Sequence, residues 1–213
     1  YYGDVWQRNA SERCRRRVGK ISVKTIRVSR TEMEKRISRH AELEPLPVQK
    51  ESVIPLAARD LIYSRQLLSV IGLDDGSETP INVSAPINGA AGITMTLAVC
   101  PHGQGPSLHA HQQTYETFTV LQGKFEFTWN DDGCESVMLG PFDTISVPPR
   151  VNRAFRSIGE EDGILQVIIS GGLHDLNDIE IAPDVAQRLD AIEPGTAAKF
   201  EAMGFRFTAH GDD

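Results

Sequence analysis

The sequence predicts an all-β protein, an antiparallel sandwich or barrel with short helices at its C-terminal end. Three observations carry this. Seven short β-like runs follow one another at regular spacing between residues 93 and 169, with no helical period among them. Turn-forming pairs and clusters separate several of them, at Gln122-Gly123, residues 130–133 and residues 159–163. Beyond Pro183 the apolar period changes from two to one that suits a helix.

The elements follow in chain order. Residues 1–40 hold 12 Lys or Arg against 4 Asp or Glu and include RCRRR at 13–17. Such a segment can be a basic arm for nucleic acid, an acid-poor organelle-targeting leader, or an extension upstream of a natural start at Met33. The last is the expectation here, with no functional role. Residues 42–47 (ELEPLP) read as a Pro-punctuated linker. Residues 53–73 are apolar and fit helix or strand, and residues 74–79 (DDGSET) form a turn cluster. The predicted strands then cover 93–99, 115–121, 124–129, 136–139, 144–147, 154–158 and 164–169. A helix is predicted over 184–190 with Asp184 as N-cap, and a second over 196–203 with Thr196 capping its start and Gly204 ending it. Phe200 and Met203 would pack on the strands. The expected organisation is an extension and linker over 1–50, a β-domain over 51–180 and a helical tail over 181–213.

Net charge is −7, and beyond residue 40 the chain carries 10 basic and 25 acidic residues. An acidic body argues against nucleic acid as the partner of the folded domain. No apolar run approaches the ~18 residues of a membrane span, and no apolar stretch marks a secretory leader. Cys14, Cys100 and Cys134 are odd in number and widely spaced. This argues for a reducing compartment, the cytoplasm, and against a disulfide scaffold or a thiolate zinc site.

The densest chemistry lies in residues 103–123, GQGPSLHAHQQTYETFTVLQG. His109, His111 and Glu116 are the ligand types that hold a divalent transition metal with positions left open. His109 and His111 are two apart, so on a strand both face the same side. Glu116 stands five further on and would face the other side of an unbroken strand. A shared ion therefore requires a bend, and Gln112-Gln113-Thr114 is the place for it.

The pattern G-x5-HxH-x4-E-x6-G, filled by Gly103, His109, His111, Glu116 and Gly123, resembles the first motif of the cupin superfamily at every position. The second cupin motif, roughly G-D-x4-P-x-G-x2-H-x3-N, is matched only by Asp143 and Pro148. Phe142 and Arg150 stand at its glycine positions, Ser157 at its Asn, and Arg153 at its metal-binding His. The resemblance covers roughly residues 80–172. It implies a double-stranded β-helix (jelly-roll) barrel with the site inside, near one mouth.

A guanidinium only donates and does not ligate metals. Two arrangements follow. In one, His109, His111 and Glu116 form a 2-His-1-carboxylate set suited to Fe(II) oxygen chemistry, and Arg153 grips an anionic substrate. In the other, Arg153 pairs with Glu116 and no metal binds. The first is the expectation, with Glu116 as ligand and proton-transfer group, and with Arg153 and Phe155 at the substrate. The resemblance also implies alternatives: Mn, Ni or Zn in place of iron, a sugar or sugar-phosphate isomerase or cyclase using the metal as Lewis acid, or a non-catalytic ligand-binding cupin. A homodimer is expected by resemblance.

Other residues read as structural. Phe125, Phe127 and Trp129 alternate on one strand face and suit the core. Gln166 is a fourth-ligand candidate by type, with an outward-facing polar residue as the simpler reading. His102 is expected as an exposed loop histidine, His174-Asp175 as turn residues, and Cys100 as a small buried hydrophobe.

Overall fold

The computed structural model describes residues 29–35, 37–50, 53–73, 78–88, 92–171 and 176–209. The chain divides into two compact units, residues 1–33 and 34–213. Of the first, residues 29–33 are described. Helix α1 (Arg30–Glu34) begins there with Ser29 as cap. The Ser29 hydroxyl accepts from the Glu32 N–H at 3.2 Å, and the Ser29 N–H donates to the Glu32 carboxylate at 3.0 Å, a reciprocal cap. The basic residues 1–28, the turn residues 74–77 and His174-Asp175 lie outside the described residues.

The second unit is built from strands β1 (Gln66–Gly72), β2 (Ile87–Asn88), β3 (Ile93–Cys100), β4 (His109–His111), β5 (Tyr115–Gln122), β6 (Phe125–Trp129), β7 (Glu135–Leu139), β8 (Thr144–Val147), β9 (Arg153–Ser157), β10 (Gly163–Ser170) and β11 (Ile179–Ile181). Four helices accompany them, α2 (Leu56–Ile62), α3 (Pro80–Ser84), α4 (Asp184–Ile192) and α5 (Thr196–Ala202). The strands form a six-stranded sheet ordered β2-β1-β3-β10-β5-β8 and a five-stranded sheet ordered β11-β4-β9-β6-β7. All neighbours run antiparallel except β1 and β2. Among the described residues no ladder joins the two sheets into a ring. The fold is the all-β double-stranded β-helix expected from the sequence.

Alternation places the core. In β3 (ITMTLAVC) every second residue from Thr94 to Cys100 is buried, and in β10 (GILQVIIS) every second residue from Gly163 to Ile169. The inward residues of both sheets meet in one core that includes Phe118, Val120 and Leu165 from one sheet and Phe125, Phe127 and Phe155 from the other. Phe118 and Phe155 lie 5.1 Å apart at a T-shaped angle, and Phe127 stands 5.2 Å from Phe118, favourable aromatic geometries. Gly105 is needed for this packing, because a Cβ there would sit 1.9 Å from the Phe155 carbonyl oxygen.

The ambiguous stretch 53–73 resolves into both elements, α2 and then β1, which pairs with β3. Residues 42–47, expected as linker, lie within this unit: Pro45 bridges Leu68, and the Leu46 N–H donates to the Leu67 carbonyl at 3.1 Å. A second apolar cluster joins α2, β11, α4 and α5 through Ile54, Ala58, Ile181, Val185, Leu189 and Phe200. Phe200 therefore packs in this satellite core, against Tyr63 and Phe205, and not on the main one.

Both predicted N-caps differ, while Gly204, with φ of 99°, follows the end of α5 as expected. Pro183 holds the N-cap of α4 with no side-chain bond, and Asp184 is its first helical residue. At α5 the N-cap is Gly195 in the left-handed region, and the Asp190 carboxylate accepts from the Ala197 N–H at 2.9 Å. An acceptor from the preceding helix thus does what Thr196, which is buried, was expected to do. Among the described residues no helix is long and apolar enough to cross a membrane.

Candidate metal centre

His109 and His111 both stand on β4, in the five-stranded sheet, and Glu116 stands on β5, in the six-stranded sheet. The bend over residues 112–114 carries the chain from one sheet to the other. That crossing resolves the parity problem of a five-residue separation, since Glu116 now faces the same interior from the opposite wall. One ligand atom from each of the three residues can be chosen so that all lie within 4.8 Å of one another. The Nε2 atoms of His109 and His111 stand 3.7 and 3.6 Å from the same Glu116 oxygen, Oε2.

The ring tautomers fit a cation at this point. His109 Nδ1 lies 2.8 Å from the Ser107 carbonyl oxygen, which can only accept, so Nδ1 carries the proton and Nε2 a lone pair. His111 Nδ1 lies 3.1 Å from Asp178 Oδ2 and 2.8 Å from the Thr114 hydroxyl. Asp178 is 2 % exposed and is held in turn by the Gln113 N–H at 2.7 Å and the Thr114 hydroxyl at 2.5 Å. Since Thr114 spends its proton on Asp178, His111 Nδ1 donates, and in the neutral ring its Nε2 carries the lone pair. A carboxylate behind a ligating imidazole is a recurrent way to fix ring orientation and raise ligand basicity. Burial lowers the His111 pKa and so favours the neutral, ligand-competent ring. For Asp178, burial pushes the carboxyl up, but hydrogen bonds from His111, Thr114 and the Gln113 N–H outweigh it and hold the group well below its usual range.

Asp178 was not legible as a site residue. It follows β10 by a loop and precedes β11, and no spacing relates it to the HxH pair. Only the three-dimensional pairing of β11 with β4, Ile179 opposite His111, brings it there.

Arg153 is 1 % exposed and sits on β9, where it pairs in register with His109. Its Nε and Nη2 donate to Glu116 Oε2 at 3.1 and 2.9 Å, and its Nη1 reaches the His109 and Val151 carbonyls at 3.4 and 3.3 Å. Burial alone would raise the Glu116 pKa, but His111, Arg153 and His109 together hold it well below the carboxylate range. A carboxylate offers about four lone-pair sites, so pairing with Arg153 leaves Glu116 able to ligate.

The three ligand candidates line a cavity of about 780 Å3. Its walls come from β-strands (Phe118, Val167, Ile169), from the segment before β1 (Leu46, Leu61, Tyr63) and from residues after α5 (Met203, Phe205). Phe155, expected at the substrate, lines it too and also belongs to the core. Arg153 is not among its lining residues and borders a separate cavity of about 290 Å3, with Trp129 and Pro148. Gln166 points out of the core and donates to Met95 Sδ at 3.1 Å, away from the centre. His102 is exposed, and its Nδ1 lies 2.7 Å from the Gly159 carbonyl. Phe125 and Phe127 are core residues. Burial pushes the Cys100 thiol up to about 12, as suits a small buried hydrophobe.

The imperfect second motif keeps its backbone. Phe142 and Arg150, at the two glycine positions, have φ of 72° and 66°, in the region that glycine adopts without strain. Both positions therefore hold a backbone conformation that a glycine would ease.

Residues 96–169 match the family model described as "Cupin domain". No curated protein matches the chain. Among solved structures it is similar to the cupin domain of Schizosaccharomyces pombe Cnp3, at 19 % identity and a TM-score of 0.36 over 39 % of this chain and 59 % of that one. It is similar to DMSP lyases in a study of RdDddP and RnDddQII, at 19 % identity and 0.43 over 55 % and 53 %. A predicted oxalate decarboxylase from Thermotoga maritima aligns at 20 % identity and 0.34 over 37 % and 66 %. The chain spans less than two thirds of the length of each of these three. Strands β3 to β10 thus carry both the family match and the histidine–histidine–glutamate set, so residues 96–169 are the part of the chain that is similar to a cupin domain.

Proposed function

We propose that this protein is a metal-dependent enzyme, with His109, His111 and Glu116 as protein ligands of a divalent transition metal and a dioxygenase reaction on a small anionic substrate. The observation that supports the reading is the paired tautomer control: the Ser107 carbonyl and the buried Asp178 accept both Nδ1 protons, so that in the neutral rings the lone pairs lie on the two Nε2 atoms, 3.7 and 3.6 Å from one Glu116 oxygen. Fe(II) suits two imidazoles and one carboxylate with open positions, and Mn, Ni or Zn are alternatives by ligand type. Such a metal would bring substrate and O2 together at adjacent open positions. Arg153 acts through Glu116, holding the carboxylate ionised and oriented. Glu116 lines the cavity, which supports a second role for it in moving a proton at a bound substrate, as a weak base while Arg153 and the imidazoles hold it ionised.

A non-catalytic reading has one observation in its favour, the close Arg153–Glu116 pair, which neutralises the carboxylate without any cation. Metal analysis separates the two. Protein purified without chelator, or titrated with Fe(II) under anaerobic conditions, is expected to hold close to one equivalent. Less than 0.1 equivalent of any transition metal, with no uptake on titration, would sink the enzymatic reading. Oxygen consumption with candidate acids then tells a dioxygenase from an isomerase or cyclase, which would use the same ligands without O2.

A further inference from the structure

We infer that the ligand of the large cavity is amphipathic: an aliphatic or aromatic body filling the apolar chamber, with a single charged oxygen head at the His109–His111–Glu116 end. The inference deepens the proposed function and rests on it for the head group only. The cavity, at about 780 Å3, has the size of a site for a drug-sized molecule. Among the described residues its lining contains no Lys and no Arg. The guanidinium of Arg153 is committed to Glu116 and faces a different cavity. Among the described residues the carboxylates on the lining are Glu116 and, far along the chain from the metal motif, Glu78.

This charge pattern sets what can bind. A dicarboxylate or a sugar phosphate would place a second anionic charge among apolar residues such as Leu61, Phe118 and Val167, where Ser64, Thr96 and Asn177 offer neutral polar partners and no described side chain offers a countercharge. Charges and hydroxyls removed from water without partners are strongly disfavoured. One anionic group is different, because the two imidazoles and a cation between them would receive it. Tyr63 adds a neutral polar group to the wall: burial pushes its phenol pKa up, and its hydroxyl makes no hydrogen bond among the described residues. The walls come from three separate parts of the chain, which line a largely apolar, half-open cavity reaching the ligand candidates. A site for a small polar acid would need no such chamber.

The test uses the full chain loaded with Co(II), titrated calorimetrically with butanoate, hexanoate, octanoate and dodecanoate, and with succinate and glucose 6-phosphate. The cobalt absorption bands report whether a head group reaches the metal. Affinity is expected to rise about two- to fourfold per methylene and then level off, with octanoate at least tenfold tighter than succinate or glucose 6-phosphate. Val167→Trp, which narrows the chamber, is expected to move the plateau to shorter acids while the cobalt bands stay. Affinity that does not change with chain length, or succinate or glucose 6-phosphate binding as tightly as octanoate, overturns the inference. A parallel series of hexanol to decanol on metal-free protein separates the two readings. A chain-length slope there without Co(II) uptake upholds the apolar chamber and sinks the metal reading. Co(II) uptake without a slope in either series does the reverse.

Discussion

Removing the Arg153 guanidinium tests the centre most directly. Arg153→Met keeps most of the side-chain volume and leaves Glu116 behind. In the intact protein Arg153 is 1 % exposed, the Glu116 side chain 10 %, and two hydrogen bonds of 2.9 and 3.1 Å join them. An exposed pair of this length would be worth about 0–1 kcal/mol. Taking one partner from a buried pair costs about 3–5 kcal/mol, because an uncompensated charge is left in the interior. In a domain of this size that corresponds to a fall in Tm of about 6–20 °C. The assay is urea denaturation of four proteins without metal: wild type, Arg153→Met, Glu116→Gln and the double variant. The double variant is expected to be more stable than Arg153→Met, since Gln at 116 leaves no orphan charge. If Arg153→Met costs under about 1 kcal/mol, or if the two single losses simply add, the pair is not the buried interaction described here.

Asp178→Asn would set an amide N–H against the donors His111 Nδ1–H, the Thr114 hydroxyl and the Gln113 N–H. Co(II) or Zn(II) affinity by calorimetry is expected to fall about 10–100-fold, and an unchanged affinity would remove Asp178 from the centre. Phe142→Gly should stabilise the fold by about 0.5–1 kcal/mol, the left-handed strain relieved less the extra entropy of an unfolded glycine. The Phe142 side chain is 82 % exposed and gives up little burial, so a lower denaturation midpoint would contradict the account of the loop. Acidification should destabilise the metal-free protein. Glu116 and Asp178 have folded-state pKa values below the usual range, so their contribution is complete above the unfolded values near 4 and is lost as pH falls below them. Urea midpoints from pH 7 to pH 3 should drop more steeply for wild type than for Glu116→Gln, and equal slopes would argue against an ionised Glu116 in the folded state.

Seven strands, β3 and β5 to β10, were readable from short β-like runs set off by turn residues, while β1 lay in a stretch that fitted helix or strand and the short β2, β4 and β11 were not among the predicted runs. The ligand triad was readable because it lies within eight residues of one chain segment. The need for a bend at 112–114 could be deduced from parity alone, but not its destination: only the sheet order shows that the bend changes sheets. Arg153 stood out as an arginine where the family pattern has a histidine. Its partner could not be chosen from the sequence, because a substrate anion and Glu116 satisfy a guanidinium equally well. Asp178 and the chamber walls were hidden for a simpler reason. Leu46, Tyr63, Asp178 and Phe205 are far from the motif in sequence, and each looks locally like a linker, helix-end or turn residue. Non-local pairing of β11 with β4 and docking of α2 beside α4 and α5 bring them together.

The position of Arg153 has a consequence for how the cofactor would come and go. Arg153 belongs to β9 in the five-stranded sheet and Glu116 to β5 in the six-stranded one, so their pair is a strut between the two walls. A site whose ligands are held only by the ion loses its shape when the ion leaves, as structural zinc domains do. Here the strut stays in place on the side away from the large cavity. The emptied centre would keep its walls apart at the right spacing, and its charge balanced, until another ion arrived. Stripping and reloading should therefore be reversible without refolding, so that the identity of the resident metal follows supply at the time of use and not only at the time of folding.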